Sequence, residues 1–190
     1  MEQVFAPWRI EWVERDEPPG EEDDGCVFCR LPAADDDRES LVVARSAHAY
    51  VLLNNYPYNP GHAMVIPDEH AGRYDALSPA VTLDHARLTQ ATLGALRTAL
   101  SPDGFNTGMN LGGSAAGGSI DDHVHTHVVP RWSGDTNFMA VISDTTVIVE
   151  ALADTYERLH AAFGDHEAAR AGAGAADGAD PTGAVELVFD

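Results

Sequence analysis

Lysine is absent from this chain of 190 residues, and all 11 basic residues are arginine, set against 31 Asp and Glu for a formal net charge of −20. So acidic a surface repels phosphate backbones and anionic headgroups, which argues against nucleic acid and membranes as partners. Cysteine is nearly absent too. Cys26 and Cys29 are the only two, which excludes a disulfide scaffold. No apolar run approaches the roughly 20 residues of a membrane-spanning helix. The opening Met1-Glu2-Gln3-Val4-Phe5 lacks the positive and apolar regions of a secretory signal, so a cytoplasmic location is expected. Internal repeats are missing as well, and the length suits one domain around one core.

What is present begins with acid runs at Glu21-Glu22-Asp23-Asp24 and Asp35-Asp36-Asp37. A solvated acidic face would explain them on solubility grounds alone. Dense Asp and Glu, abundant Ala and Gly and no Lys better resemble proteins of salt-loving microbes, whose self-repulsion is screened by the surrounding salt.

Along the chain, residues 1–25 form an N-terminal extension that carries Trp8 and Trp12. Cys26-Val27-Phe28-Cys29 is a short apolar knuckle whose spacing suits two metal ligands or a redox pair. Apolar runs at 41–45, 49–54, 63–67 and 105–111 predict strands. Two prolines and a glycine force a loop over 55–62. Ser78-Pro79 opens a helix to about Leu100, with Leu93, Leu96 and Leu100 on one side. A second helix carries Val149, Leu152, Tyr156, Leu159 and Phe163 on one stripe. From 164 to 190 the chain is mostly Ala, Gly and Asp, which predicts a mobile tail. Strands and helices do not alternate strictly, so the class is α+β with a mainly antiparallel sheet.

The chemistry concentrates at Asp121-Asp122-His123-Val124-His125-Thr126-His127-Val128-Val129. Histidine at every second position of a β-branched run reads as a strand with His123, His125 and His127 on one face. Three imidazoles together need partners for six ring nitrogens, a costly arrangement for mere packing. A metal site, a nucleophile with its proton partners, or both are the functional readings. The Gly112–Ser119 loop just upstream, rich in small residues, lets main-chain N–H groups approach an anion. His48, His85, His160 and His166 read as solvated, and His62 as the cap of a turn.

These residues resemble the histidine triad (HIT) family, whose motif H-x-H-x-H followed by two apolar residues is matched at 123–129. The similarity extends over residues 26–163. It includes C-x-x-C, the Asn-x-x-Pro-x-x-Pro-Gly-His loop, Ile-Pro-x-x-His and the Gly/Ser loop. Pro130-Arg131-Trp132 and the turn at 134–138 are similar to the branch of Fhit-like hydrolases and diadenosine tetraphosphate phosphorylases.

The resemblance implies a homodimer in which each protomer has a five-stranded sheet and two main helices. It also implies attack on the α-phosphate of a nucleotide, with His125 as nucleophile forming a nucleotidyl-histidine. His127 would contact a phosphate oxygen or orient His125, and His123 would complete the triad. Gly117, Gly118 and Ser119 would hold phosphate oxygens, Asn54 the ribose, and Asn110 a phosphate or the leaving group. Trp132 would stack on a base or pack at the edge. Cys26, Cys29, His70 and His123 would form a closed structural zinc site. The implied substrate is a dinucleoside polyphosphate, with water or phosphate as the acceptor. A nucleoside phosphoramidate hydrolase and a non-catalytic nucleotide-binding module are the alternatives.

Salt adaptation makes a direct prediction: the melting temperature rises from low to molar KCl, and a flat or falling curve would discard the idea.

Overall fold

The computed structural model describes residues 25–112, 115–116, 120–135, 151–170 and 183–189. Trp8, Trp12, Val149 and the loop residues Gly117, Gly118 and Ser119 lie outside them. Within the described residues, the α-helices and strands follow in order: α1 (Val27–Arg30), β1 (Val42–Arg45), β2 (Ala49–Leu53), β3 (Ala63–Pro67), α2 (Pro79–Leu100), β4 (Gly104–Gly108), β5 (Thr126–Arg131), α3 (Leu152–Gly164) and β6 (Val185–Glu186). Among the described residues, no helix is long and apolar enough to cross a membrane.

The strands form one sheet in the order β4-β5-β3-β2-β1-β6. Every pairing is antiparallel except β1 with β6, which is parallel. Side chains alternate across it and sort into two layers. Val43, Val51, Leu53, Val65 and Val128 face α2 and α3, packing with Leu88, Leu96, Leu159 and Phe163 in the main core. Val42, Tyr50, Leu52, Met64 and Ile66 face the other way and are covered by Phe28 of α1. The first layer is closed by two helices; among the described residues, the second is packed by the one-turn knuckle together with Leu31, Leu41, Ile120 and Ala184.

Local chemistry explains the boundaries. Ser78 caps α2 by accepting from the Val81 N–H, and Pro79 occupies the first turn, where no donor is lost. The stripe on α2 sits slightly round from the expected one. Val81, Leu88, Ala91, Ala95 and Leu96 are buried, while Leu93 and Leu100 lie at its rim. The stripe on α3 is as the spacing predicts, with Tyr156, Leu159 and Phe163 buried.

Among the described residues the sheet has six strands where five are expected, and the sixth comes from the predicted tail. Ala44 pairs with Val185, and the Leu187 N–H donates to the Arg45 carbonyl at 2.8 Å. Val185 and Leu187 are buried in the core, Asp37 accepts from the Ala184 N–H, and His160 Nε2 bonds the Gly183 carbonyl at 3.0 Å. The reason is edge completion: β1 offers an unpaired ladder, and a short alternating run, Val185-Glu186-Leu187, fills it. His160 is therefore an anchor, not a solvated side chain. His85 is also buried, lying between the Val65 carbonyl and Thr126 Oγ1.

Candidate functional site

The triad runs into β5 from outside the ladder. The strand begins at Thr126, so His123 and His125 precede it and only His127 lies within it. The alternation nevertheless holds. Val124 packs with Leu77 and Val81, and Val128 enters the helix-covered core. The three histidines share the knuckle side of the sheet, where the rings of His125 and His127 lie 4.9 Å apart.

The first two rings, those of His123 and His125, are held by main-chain carbonyls. His123 Nε2–H donates to the Pro67 carbonyl at 2.8 Å, which leaves the Nδ1 lone pair directed at the knuckle. His125 Nδ1–H donates to the His123 carbonyl at 2.9 Å, which leaves its Nε2 unprotonated. Burial pushes the pKa of both His123 and His125 below the usual histidine value, the main-chain acceptors opposing it less strongly. Both imidazoles are accordingly neutral at pH 7. The Phe28 ring centroid lies 5.8 Å from that of His123 and 4.9 Å from that of His125, so one of the two residues between the cysteines packs on both histidines. Tyr50 Oη–H fixes the Phe28 carbonyl at 2.5 Å.

His127 is served by a residue for which the sequence suggested only a cap. His62 is fully buried, and its Nε2 lies 3.0 Å from His127 Nδ1. Its other nitrogen, Nδ1, receives the Tyr58 main-chain N–H at 3.1 Å. An amide N–H can only donate, so His62 Nδ1 must accept and the His62 proton sits on Nε2. That proton points at His127 Nδ1, which must accept in turn, and His127 carries its own proton on Nε2. Tyr58 stacks on His62 with ring centroids 4.7 Å apart. Parity was the available signal: His62, Met64 and Ile66 alternate onto one face, and Met64 pairs with His127.

At the other end of the triad, Cys26, Cys29, His70 and His123 place one donor atom each within 4.8 Å of one another. The His123 Nδ1 lies 3.4 Å from Cys26 Sγ and 3.6 Å from Cys29 Sγ, and His70 Nδ1 lies 3.3 Å from Cys29 Sγ. A tetrahedral metal centre with these donors spaces nitrogen and sulfur by about 3.6 Å. The four residues fit such a centre. Burial first, then the nearby Cys26, raises the Cys29 thiol pKa, and a divalent cation is what would let both thiols ionise together.

The remaining expected residues come from separate stretches of the chain. Asn54 is buried, with Oδ1 taking the Tyr56 N–H at 2.9 Å and Nδ2 3.9 Å from Met64 Sδ. Asn110 is exposed beyond β4, two residues past Gly108, which pairs with His127. Trp132 is half-buried just after β5. Gly117, Gly118 and Ser119 cannot be placed against the histidines, since they lie outside the described residues.

Fold and site together define an α+β protein with a histidine cluster on the knuckle face of its sheet. The HIT domain family model matches residues 36–134, and the chain belongs to that family. The AP-4-A phosphorylase of Mycobacterium tuberculosis is 39% identical over 160 residues, covering 82% of this chain and 80% of that protein. Its likeness places the chain in the branch similar to AP-4-A phosphorylases. Adenosine 5'-monophosphoramidase hnt1 of Schizosaccharomyces pombe is 31% identical over 106 residues, covering 56% of this chain and 74% of that protein. A zinc-bound histidine triad family protein from Mycobacterium smegmatis superposes with a TM-score of 0.57 at 27% identity, covering 73% of this chain and 92% of that one.

Proposed function

We infer that this protein is a nucleotide-processing enzyme that cleaves dinucleoside polyphosphates such as diadenosine tetraphosphate at the α-phosphate. The supporting observation is the tautomer of His125. With Nδ1–H committed to the His123 carbonyl, the lone pair on Nε2 is available as a nucleophile at neutral pH. Nε2 attacks the α-phosphorus as the bond to the bridging oxygen breaks, giving a nucleotidyl-histidine and a nucleoside polyphosphate (ATP from diadenosine tetraphosphate) as the leaving group. His127, its proton held on Nε2, donates to the departing oxygen. Water or phosphate then attacks the same phosphorus and displaces His125, yielding a nucleoside monophosphate or diphosphate. Asn54 would meet the ribose, Asn110 and the Gly117–Ser119 loop the phosphates, and Trp132 a base.

The likeness to an adenosine 5'-monophosphoramidase favours a second reading, in which the same pair cleaves a phosphorus–nitrogen bond. The longer match to an AP-4-A phosphorylase puts the first ahead.

Cys26, Cys29, His70 and His123 would hold a structural zinc ion, which leaves no coordination position for substrate and contributes folding energy. A second copy would pair along β4, an edge strand with exposed residues at Asn106, Thr107 and Gly108. The cytoplasmic setting inferred from the sequence suits both a nucleotide substrate and reduced thiols.

Phosphorus NMR with diadenosine tetraphosphate in molar KCl is the primary test. ATP and ADP formed only with added phosphate mean a phosphorylase, and AMP with ATP in its absence means a hydrolase. An intact substrate in both sinks the first reading and moves the test to adenosine phosphoramidate. His125→Asn should lower turnover by about 10³-fold or more while nucleotide binding persists; unchanged turnover would remove His125 from the mechanism. Metal analysis of protein purified without added zinc should find about one equivalent per chain, and far less would discard the zinc site. Sedimentation velocity should give twice the 20.3 kDa chain mass, whereas a single-chain species would dismiss the dimer.

A further inference from the structure

The loop that delivers His62 is tied to the far end of the triad strand. Asn59-Pro60-Gly61-His62 is a tight turn, the His62 N–H bonding the Asn59 carbonyl at 3.1 Å with Gly61 at φ 76°. Proline then glycine with positive φ is the signature of a type II turn. The positive φ at Gly61 favours glycine, and the turn is packed closely. A Cβ on Gly61 would lie 2.3 Å from Leu100 Cδ1 and 3.3 Å from Pro130 Cγ.

One side chain locks it from the outside. Asn59 Nδ2 donates to the Pro130 carbonyl and to Asp135 Oδ2, both at 2.9 Å. Asp135 in turn takes Arg131 Nε at 2.6 Å, Arg131 Nη2 at 2.8 Å and the Trp132 N–H at 3.1 Å. Arg131 Nη1 also reaches Asn106 Oδ1 of β4 at 2.7 Å. Four hydrogen bonds therefore converge on one carboxylate, from a loop, a strand end and a turn. Charge-assisted, forked pairing of this kind is among the stiffest polar contacts available.

We propose that Asn59 and Asp135 are positioning residues that hold His62 against His127 and so keep the His127 proton on Nε2. The route is continuous: Asp135 grips Asn59, and Asn59 opens the turn that ends at His62. The Tyr58 amide sets the His62 proton, and His62 donates to His127. The 3.0 Å bond between the rings joins a loop to a strand. A loop shift of the order of 1 Å would stretch it beyond hydrogen-bond range. The consequence for catalysis rests on the reading of His127 as the donor to the departing oxygen; the consequence for the proton does not.

The two are separable by experiment. Long-range proton–nitrogen NMR of histidine-labelled protein reads which ring nitrogen is protonated without any turnover. The parent should show His62 and His127 each protonated on Nε2, with the His62 proton slow to exchange. Asn59→Ala should speed that exchange and move both His127 nitrogens toward tautomer-averaged shifts. It should also cut kcat about tenfold with KM changed less than about twofold. A variant that melts lower but keeps the parent nitrogen shifts overturns the proposal, leaving a brace and nothing more. A parent with His127 protonated on Nδ1 overturns it outright. Asp135→Asn keeps the shape and the Asn59–Pro130 bond and serves if Asn59→Ala does not fold; its nitrogen shifts are judged by the same two outcomes. A parent inactive on diadenosine tetraphosphate whose nitrogen shifts still respond to Asn59→Ala would reject the substrate and keep the clamp.

Discussion

The main-chain carbonyl of His123 is the contact on which the site turns. It takes the Nδ1–H of His125, and without it that donor would be buried unmet at about 1–3 kcal/mol. The same residue offers its ring to the cysteine knuckle, held there by the Pro67 carbonyl. One histidine thus serves the candidate metal cluster with its side chain and the candidate nucleophile with its backbone. Phe28 repeats the link from the other side, since it lies between the two cysteines and packs on both rings.

Electrostatics would by themselves push the other way. A chain with a net charge of −20 stabilises protonated histidine through its overall field. That field is carried by solvated carboxylates and is screened beyond about 10 Å at ordinary ionic strength, less still in molar salt. Burial acts at the ring itself, and a buried imidazolium loses its hydration outright. The local effect is the stronger for His123 and His125, whose values fall. Asp135 shows the opposite case. The Arg131 guanidinium beside it, with further hydrogen-bond donors, holds its carboxyl down to about 2, so the clamp is charged at neutral pH.

The sheet, the long helix and the shared face of the triad were legible because each rests on local periodicity. His125 could be singled out from alternation plus family motif. The C-x-x-C pair gained its partners His70 and His123 from resemblance alone, since spacing in the chain does not say which loops meet. His62 follows Pro-Gly and so looks like a cap; its parity with Met64 and Ile66 is the signal that puts it on the triad's face. Asn59 and Asp135 left no signal, because their bond joins two loops 76 residues apart. The sixth strand was hidden by brevity, two residues being far below what a pattern can register.

That strand bears on how the molecule reaches its native state. Ala44 and Val185 pair across most of the chain, and contacts of long sequence separation form late because the intervening segment must first be ordered. During synthesis, the edge of β1 stays open until Val185 and Glu186 have left the ribosome. An unpaired edge beside Val43 and Val51 is a template for the wrong partner. The dense acidic run at Asp35-Asp36-Asp37, just upstream of that edge, gives neighbouring nascent chains like charges to overcome before they can dock there.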